Sequence, residues 1–249
     1  MFFNFGYAET AGRRPNWITK AEPQHRYHFD LLRRVLGGVD LSSKIVLEVG
    51  SGRGGNCHYL SRYTRAKRIF GIDLCWGNVK FCRRVHRLSN VVFLRGDAQR
   101  LPFREGQFDL VLNVESSHCY ADLEKFLAEA YCVLKPGGFF CYADLWFSQA
   151  SNAVWSRRKC ALDASRFVLL AEEDISRQVS QALKSNDGLP AKIRAIAGPG
   201  SKRLANRLAQ SLEAVRCYLD SGRCVYKLWR FQKPRSPRRG AFARKPVRP

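Results

Sequence analysis

The chain lacks any apolar run long enough to cross a bilayer, which sets aside an integral membrane protein. Its opening residues, Met1-Phe2-Phe3-Asn4-Phe5-Gly6-Tyr7, carry neither a basic start nor a sustained apolar stretch, so no secretory signal is read there. Its nine cysteines form no Cys-x-x-Cys pair, and neither His58 nor His118 lies at a zinc-like spacing from a cysteine pair. No metal is expected. An odd number of thiols without a secretory signal reads as a reduced, cytoplasmic chain with small apolar cysteines inside. There is no internal repeat.

Acid is scarcest toward the C-terminus. The net charge is +22, yet residues 40–147 hold 15 basic against 11 acidic side chains, while residues 148–249 hold 22 against 7. The segment Gln232–Pro249 has seven basic residues, four prolines and no acid. Such a segment cannot bury a core, so residues 232–249 are expected to be a disordered tail. A basic tail can contact nucleic acid or an anionic membrane, or simply keep the chain soluble.

The 249 residues suit one α/β domain, placed at 1–231. Glu22–Leu36 reads as an amphipathic helix stopped by Gly37-Gly38. Strands are expected at Lys44–Val49, Arg68–Ile72, Val91–Arg95, Asp109–Val114 and Phe139–Ala143. Helices are expected at Gly54–Tyr63, Trp76–Leu88 and Leu123–Leu134, the last stopped by Lys135-Pro136-Gly137-Gly138. This alternation implies βαβ units and a parallel sheet. Residues 148–213 read as a helical cap over the strand edge. Ala214–Leu219, a turn at Asp220-Ser221-Gly222 and Val225–Phe231 read as an antiparallel hairpin closing a seven-stranded, mostly parallel sheet.

The first four strands each end in glycine or polar residues. They give Glu48-Val49-Gly50-Ser51-Gly52-Arg53-Gly54-Gly55, then Gly71-Ile72-Asp73, Gly96-Asp97-Ala98 and Asn113-Val114-Glu115. In an open parallel sheet, ligands bind outside these carboxyl ends. Residues 50–55 satisfy G-x-G-x-x-G, with Asp73 near the distance of a dinucleotide site. Glu48 argues against that ligand, because its carboxylate would repel a pyrophosphate and attract an ammonium group. Asp97 is placed to accept from an adenine amino group. The order of groups therefore suits S-adenosylmethionine (SAM).

These residues also carry a resemblance. Phe3-Asn4-Phe5-Gly6-Tyr7, Arg26-Tyr27, the glycine turn, Gly96-Asp97-Ala98 with Leu101-Pro102-Phe103, Leu112 to Tyr120, and Tyr142-Ala143-Asp144-Leu145 resemble the class I SAM-dependent methyltransferases. More narrowly, they resemble the phthiotriol/phenolphthiotriol dimycocerosate methyltransferases of mycobacteria and related small-molecule O-methyltransferases. The resemblance covers residues 3 to 145 and, more weakly, the closing hairpin; it implies a Rossmann-like fold. By the same resemblance Glu48, Gly50 and Gly52 line the methionine end, with Ser51 in the turn. Asp73 binds the ribose hydroxyls beside Leu74, Asp97 and Ala98 hold the adenine, and Asn113 sits near the methionine backbone. Phe5 and Tyr7 form a lid, or else an arm packed on the sheet.

Methyl transfer to an alcohol is helped by a base that removes the hydroxyl proton. His118 has the right pKa class and follows the fourth strand at the ligand edge. In similar O-methyltransferases it works with an aspartate at the end of the fifth strand, here Asp144. The alternatives are a His118 that packs structurally and an Asp144 that caps a helix. Glu115 is a further polar candidate, while His58 and His86 fall on expected helices and read as structural. The expected activity is O-methylation of a hydroxyl on a small-molecule, lipid or polyketide natural product. A SAM-binding cyclase that transfers no methyl group is a second reading. An RNA methyltransferase is a third, against which the chain lacks an Asn/Asp-Pro-Pro-aromatic motif after the fourth strand.

Overall fold

The computed structural model describes residues 4–9, 22–147, 152–185 and 202–235. Strands β1 (Ile45–Val49), β2 (Arg68–Asp73), β3 (Val91–Arg95), β4 (Phe108–Val114), β5 (Leu134–Phe147), β6 (Val168–Asp174) and β7 (Cys224–Gln232) form one sheet. Its order is β3-β2-β1-β4-β5-β7-β6. The first five strands pair in parallel; β7 runs antiparallel to β5 and to β6. The chain winds outward from β1 to β3, then returns to place β4 on the other side of β1. That reversal opens a crevice at the carboxyl ends of β1 and β4, the usual ligand position in such a sheet.

Alternation along the strands divides the core. Val46, Leu110, Leu112, Cys141 and Ala143 face one layer with Leu31, Leu32, Val35 and Leu60. Leu47, Val49, Val111, Phe140 and Tyr142 face the other with Phe126, Leu127 and Ala130. Both faces are covered by helices, as a parallel sheet requires. Those helices are α1 (Arg26–Leu36), α2 (Gly55–Tyr63), α3 (Trp76–Val85) and α4 (Leu123–Val133), with α5 (Asn152–Asp163), α6 (Ser176–Ser185) and α7 (Lys202–Asp220) later in the chain. Helix α1 ends as its glycines demand: Gly37 adopts φ 58° and its N–H bonds Arg33 O.

Two expectations about the C-terminal part are corrected. Ala214–Leu219 is not a strand but the last turns of α7. Ala205, Ala209, Leu212, Val215 and Leu219 recur at helical spacing and pack inward, so the period of 3.6 prevails over the alternation that a short window suggests. The antiparallel partner of β7 on its outer side is instead Val168–Asp174, inside the segment read as a mostly helical cap. Its Leu, Ala and Glu residues favour a helix locally, but pairing with β7 at the sheet edge prevails over that propensity. The fifth strand also runs longer than expected. It incorporates Lys135–Gly138 as an irregularity between the pairs Phe108↔Leu134 and Leu110↔Phe139.

Residues 232–235, expected to belong to the tail, lie among the described residues. Gln232 belongs to β7, and Lys233 is buried with Nζ donating to Tyr131 O (2.9 Å) and Leu134 O (2.7 Å). An ammonium at the C-terminal end of α4 is favourably placed against its carbonyls. Residues 236–249 lie outside the described residues. All nine cysteines are unpaired; Cys57, Cys82, Cys141 and Cys224 are buried, whereas Cys75, Cys119, Cys160 and Cys217 are exposed. Among the described residues, no helix is long and apolar enough to cross a membrane.

Lys233→Met is expected to destabilise the protein by about 1–3 kcal/mol, since it strands two buried carbonyls. Ending the chain at Arg235 is expected to leave stability unchanged. Urea unfolding of both variants checks this; equal midpoints for Lys233→Met and wild type would show that the ammonium contributes nothing.

Candidate active site

The turn after β1 is fixed by backbone bonds to β2. Gly50 N and Ser51 N both donate to Ile72 O, at 2.8 and 2.9 Å, and Gly54 N closes the turn on Ser51 O. Gly50 is required there for two reasons. Its φ is +74°, and a Cβ would lie 1.9 Å from Ser116 Oγ. Asp73, at the end of β2, ties the turn down by accepting from Gly52 N (2.8 Å), Cys75 N (2.8 Å) and Asn78 Nδ2 (3.2 Å).

Two cavities open over these strand ends. One, of about 240 Å³, is lined by Glu48, Gly50, Ser51, Gly52, Asp73 and Glu115 among others, with Asn4 at its rim. The second, of about 450 Å³, is lined by Gly50, Asp73, Leu74, Asp97, Ala98 and Tyr120 among others. Gly50, Asp73, Ser116 and Cys119 line both, so the cavities meet there. Asp97 accepts from Gln99 N at 2.9 Å through Oδ1. Leu74 is 64% exposed over the second cavity, whereas Ala98 is buried beside it.

The carboxylates differ in how they are held. Glu48 is 1% exposed and accepts from Cys57 Sγ at 2.8 Å; burial pushes its pKa up to about 7. Glu115 has a left-handed φ of 52° and accepts from Phe5 N and Tyr226 Oη, both at 2.8 Å. Burial pushes it up to about 8. Neither has a cationic partner among the hydrogen bonds and ion pairs of the described residues.

Asp144 lies inside β5, three residues before its end, paired with Lys227. It is fully buried. It accepts from Ser117 Oγ (2.6 Å), His118 N (2.9 Å), Leu145 N (2.8 Å) and His118 Nδ1 (2.7 Å). His118 sits on the 3₁₀ turn Ser117–Cys119 that follows β4. Its side chain is 36% exposed, and Asp144 raises its pKa above 6.5 by hydrogen bonding, against the opposing effect of burial. Nδ1 faces the carboxylate and so carries the proton; Nε2 is then the basic nitrogen.

The other expected residues are distributed unevenly. Asn113 is fully buried beneath the turn, with Nδ2 donating to Val49 O and Tyr120 Oη, both at 2.9 Å. It lines neither cavity. Tyr7 is packed in the core, its N–H bonded to Tyr27 O, as an arm on the sheet would be; Asn4 reaches the cavity instead. His118 lines neither cavity, although its neighbour Cys119 lines both. His58 bonds Glu22 at 3.0 Å and His86 bonds Arg53 O at 2.7 Å, both structural ties. Sequence reading missed Ser117, Tyr142, Arg158 and Tyr226, which complete the polar surroundings of Asp144 and Glu115. Nothing local marks them. Among the described residues, no group of His, Cys, Asp and Glu is arranged to hold a metal ion.

Comparison with known proteins follows this geometry. A family model described as a methyltransferase domain matches residues 47–142, from β1 into β5. The phthiotriol/phenolphthiotriol dimycocerosates methyltransferase of Mycobacterium tuberculosis is 35% identical over 94% of this chain and 85% of its own. The fatty-acid O-methyltransferase of Mycolicibacterium smegmatis is also 35% identical, over 94% of this chain and 84% of its own. The chain belongs to the class I SAM-dependent methyltransferases. The methyltransferase also shares its fold with the 4+2 cyclase SpnF, at a TM-score of 0.67 and 23% identity, over 93% of this chain and 87% of that one.

SAM is the cofactor of this methyltransferase, and the lining residues fit it. The carboxylates Glu48, Asp73 and Asp97 are acceptors suited to an ammonium, a vicinal diol and an amino group.

Gly50→Ala is expected to destabilise the methyltransferase by at least ~1 kcal/mol more than Gly38→Ala and to abolish SAM binding. Gly38 has φ +82° but open space around it, so it carries the backbone strain alone. Thermal unfolding and calorimetry test this; equal losses in the two variants would rule out the Ser116 clash.

Proposed function

We propose that the enzyme transfers a methyl group from SAM to the oxygen of a hydroxyl on a small, lipid-like molecule, with His118 as general base and Asp144 as its orienting partner. The observation that carries this reading is the 2.7 Å contact between His118 Nδ1 and the fully buried Asp144, with the imidazole itself partly exposed. An acceptor that is already ionised, such as a carboxylate, has no need of such a pair. A hydroxyl does.

When bound, SAM supplies a sulfonium-activated methyl group. The residues of the chain bind, orient and move a proton. Glu48 is assigned to the methionine ammonium, Gly50, Ser51 and Gly52 to the turn beneath it, and Asp73 to the ribose. Asp97 is assigned to the adenine amino group, with Leu74 and Ala98 against the ring. Asn113 acts one step removed, by holding Val49 O and Tyr120 Oη. His118 Nε2 takes the acceptor's proton, and Asp144 stabilises the imidazolium that forms. The printed names of the relatives, one acting on dimycocerosates and one on fatty acids, support a lipid-like acceptor. We take the chain as one catalytic domain, with α5 packed toward the ligand edge. Contacts from α5 to Ser117 support this.

The Glu48 assignment implies proton linkage. Glu48 titrates at about 7 and attracts a cation only when ionised. The ratio of SAM affinity in wild type to that in Glu48→Gln is therefore expected to rise as pH increases through about 7. Between about pH 5.5 and 7, where a free α-ammonium keeps its charge, a pH-independent ratio in calorimetry would remove Glu48 from the ammonium site.

His118→Ala is expected to lower kcat by ~10²-fold or more with SAM affinity nearly unchanged. The acidic limb of the wild-type kcat/KM profile should lie above 6.5 and vanish in the variant, because the imidazole must be neutral to accept the proton. Product mass should show the gain of one methylene on a hydroxylated lipid. Near wild-type turnover by His118→Ala would refute the base; a product of unchanged mass would point to cyclisation.

A further inference from the structure

Arg158, on α5, reaches the buried side of the His118–Asp144 pair. Its Nη2 donates to Ser117 Oγ at 2.8 Å, lies 3.4 Å from Tyr142 Oη, and stands 3.8 Å from Asp144 Oδ2. Its Cζ lies 5.2 Å from the centre of the Trp146 ring. We infer that Arg158 is a positioning residue for the His118–Asp144 pair, acting through the Ser117 hydroxyl. This rests on the reading of His118 as the base.

The direction of the hydrogen bonds carries the argument. A guanidinium can only donate. Ser117 Oγ therefore accepts from Arg158, and its single hydrogen goes to Asp144 Oδ2 at 2.6 Å. Tyr142 Oη, 2.6 Å from Ser117 Oγ, must then donate to Ser117 Oγ. Arg158 thus sets the polarity of the whole group and keeps one oxygen of Asp144 occupied from behind. The other oxygen faces His118 Nδ1.

The placement is poor for stability alone. The guanidinium is 17% exposed, its closest carboxylate is at 3.8 Å, and its Nε, also buried, meets no acceptor among the described residues. A largely buried cation whose carboxylate partner stands at 3.8 Å, with no direct hydrogen bond to it, recovers little of its desolvation cost. Groups that break local rules without a stability gain concentrate at functional sites.

The charge has a defined sign of effect. His118 feels Asp144, which raises its pKa, and Arg158, which lowers it. The other titratable neighbours of Asp144 are shifted toward their neutral forms: burial raises Cys119, Tyr142 and Tyr226, and pushes Glu115 up to about 8. Asp144 keeps its backbone and imidazole donors when Arg158 is removed. Loss of the cation then leaves the imidazole more basic.

The test uses the full chain. Arg158→Met is expected to lower kcat by ~10-fold or more, to leave SAM affinity unchanged, and to move the acidic limb of kcat/KM to higher pH. Arg158→Lys should restore the position of the limb by restoring the charge. Ser117→Ala, which keeps the guanidinium, serves where Arg158→Met does not fold. It should lower kcat, and the double variant should be no worse than the poorer single one if the two act through one contact. A lowered melting temperature in Arg158→Met with wild-type kcat and an unmoved limb would overturn the inference and leave Arg158 as packing. An unmoved limb in an otherwise His118-dependent enzyme sinks this inference alone. An active His118→Ala sinks the base reading beneath it.

Discussion

A carboxylate with no exposure to water must be supplied with donors or be lost to protonation, and Asp144 is such a group. Its surroundings are organised by that requirement. Two backbone N–H groups, a serine hydroxyl and an imidazole converge on it. These donors come from the strand that carries it and from the 3₁₀ turn after the neighbouring strand. The parallel register of β4 with β5, which sets Val114 opposite Ala143, brings that turn within reach. The position of His118 is thus a consequence of sheet pairing and of solvation. The imidazole stands where it does because a buried anion needs its proton.

Glu48 and Glu115 are the opposite case. They too sit at strand ends, Glu48 held by Cys57 and Asn56 and Glu115 by Phe5 N and Tyr226 Oη, yet burial outweighs these bonds and raises their pKa values to about 7 and about 8. A site that leaves carboxylates underprovided has a place for a cation. SAM brings positive charge, so the imbalance in the protein is matched by its cofactor. Glu115 has an additional consequence. By holding Phe5 N and Tyr226 Oη on one oxygen, it links the N-terminal arm to β7 across the cavity rim.

Much of the ligand edge was legible because it is written locally. Glycines that tolerate a left-handed turn, and acidic residues just past apolar runs, mark strand ends without knowledge of neighbours. The C-terminal part was less legible for a physical reason. Ala214–Leu219 satisfies a period of 2 and a period of 3.6 over so short a span, and only the inward packing of Leu212, Val215 and Leu219 decides between them. Val168–Asp174 has no alternation to announce it, since an edge strand beyond β7 is exposed along most of its length. Tyr7 could be read either way because an aromatic arm looks the same in sequence whether it covers a ligand or fills a core.

By itself, the sequence determined a parallel α/β sheet, its ligand-bearing edge and the acidic order of that edge. Each depends on residues close together in the chain. Only the tertiary structure decided which groups meet across it. His118 and Asp144 are 26 positions apart, Arg158 and Ser117 are 41 apart, and Tyr226 and Glu115 are 111 apart. No local propensity encodes such contacts. They arise when strand register and helix packing bring buried polar groups together, and each must then find a partner inside the protein because water is excluded.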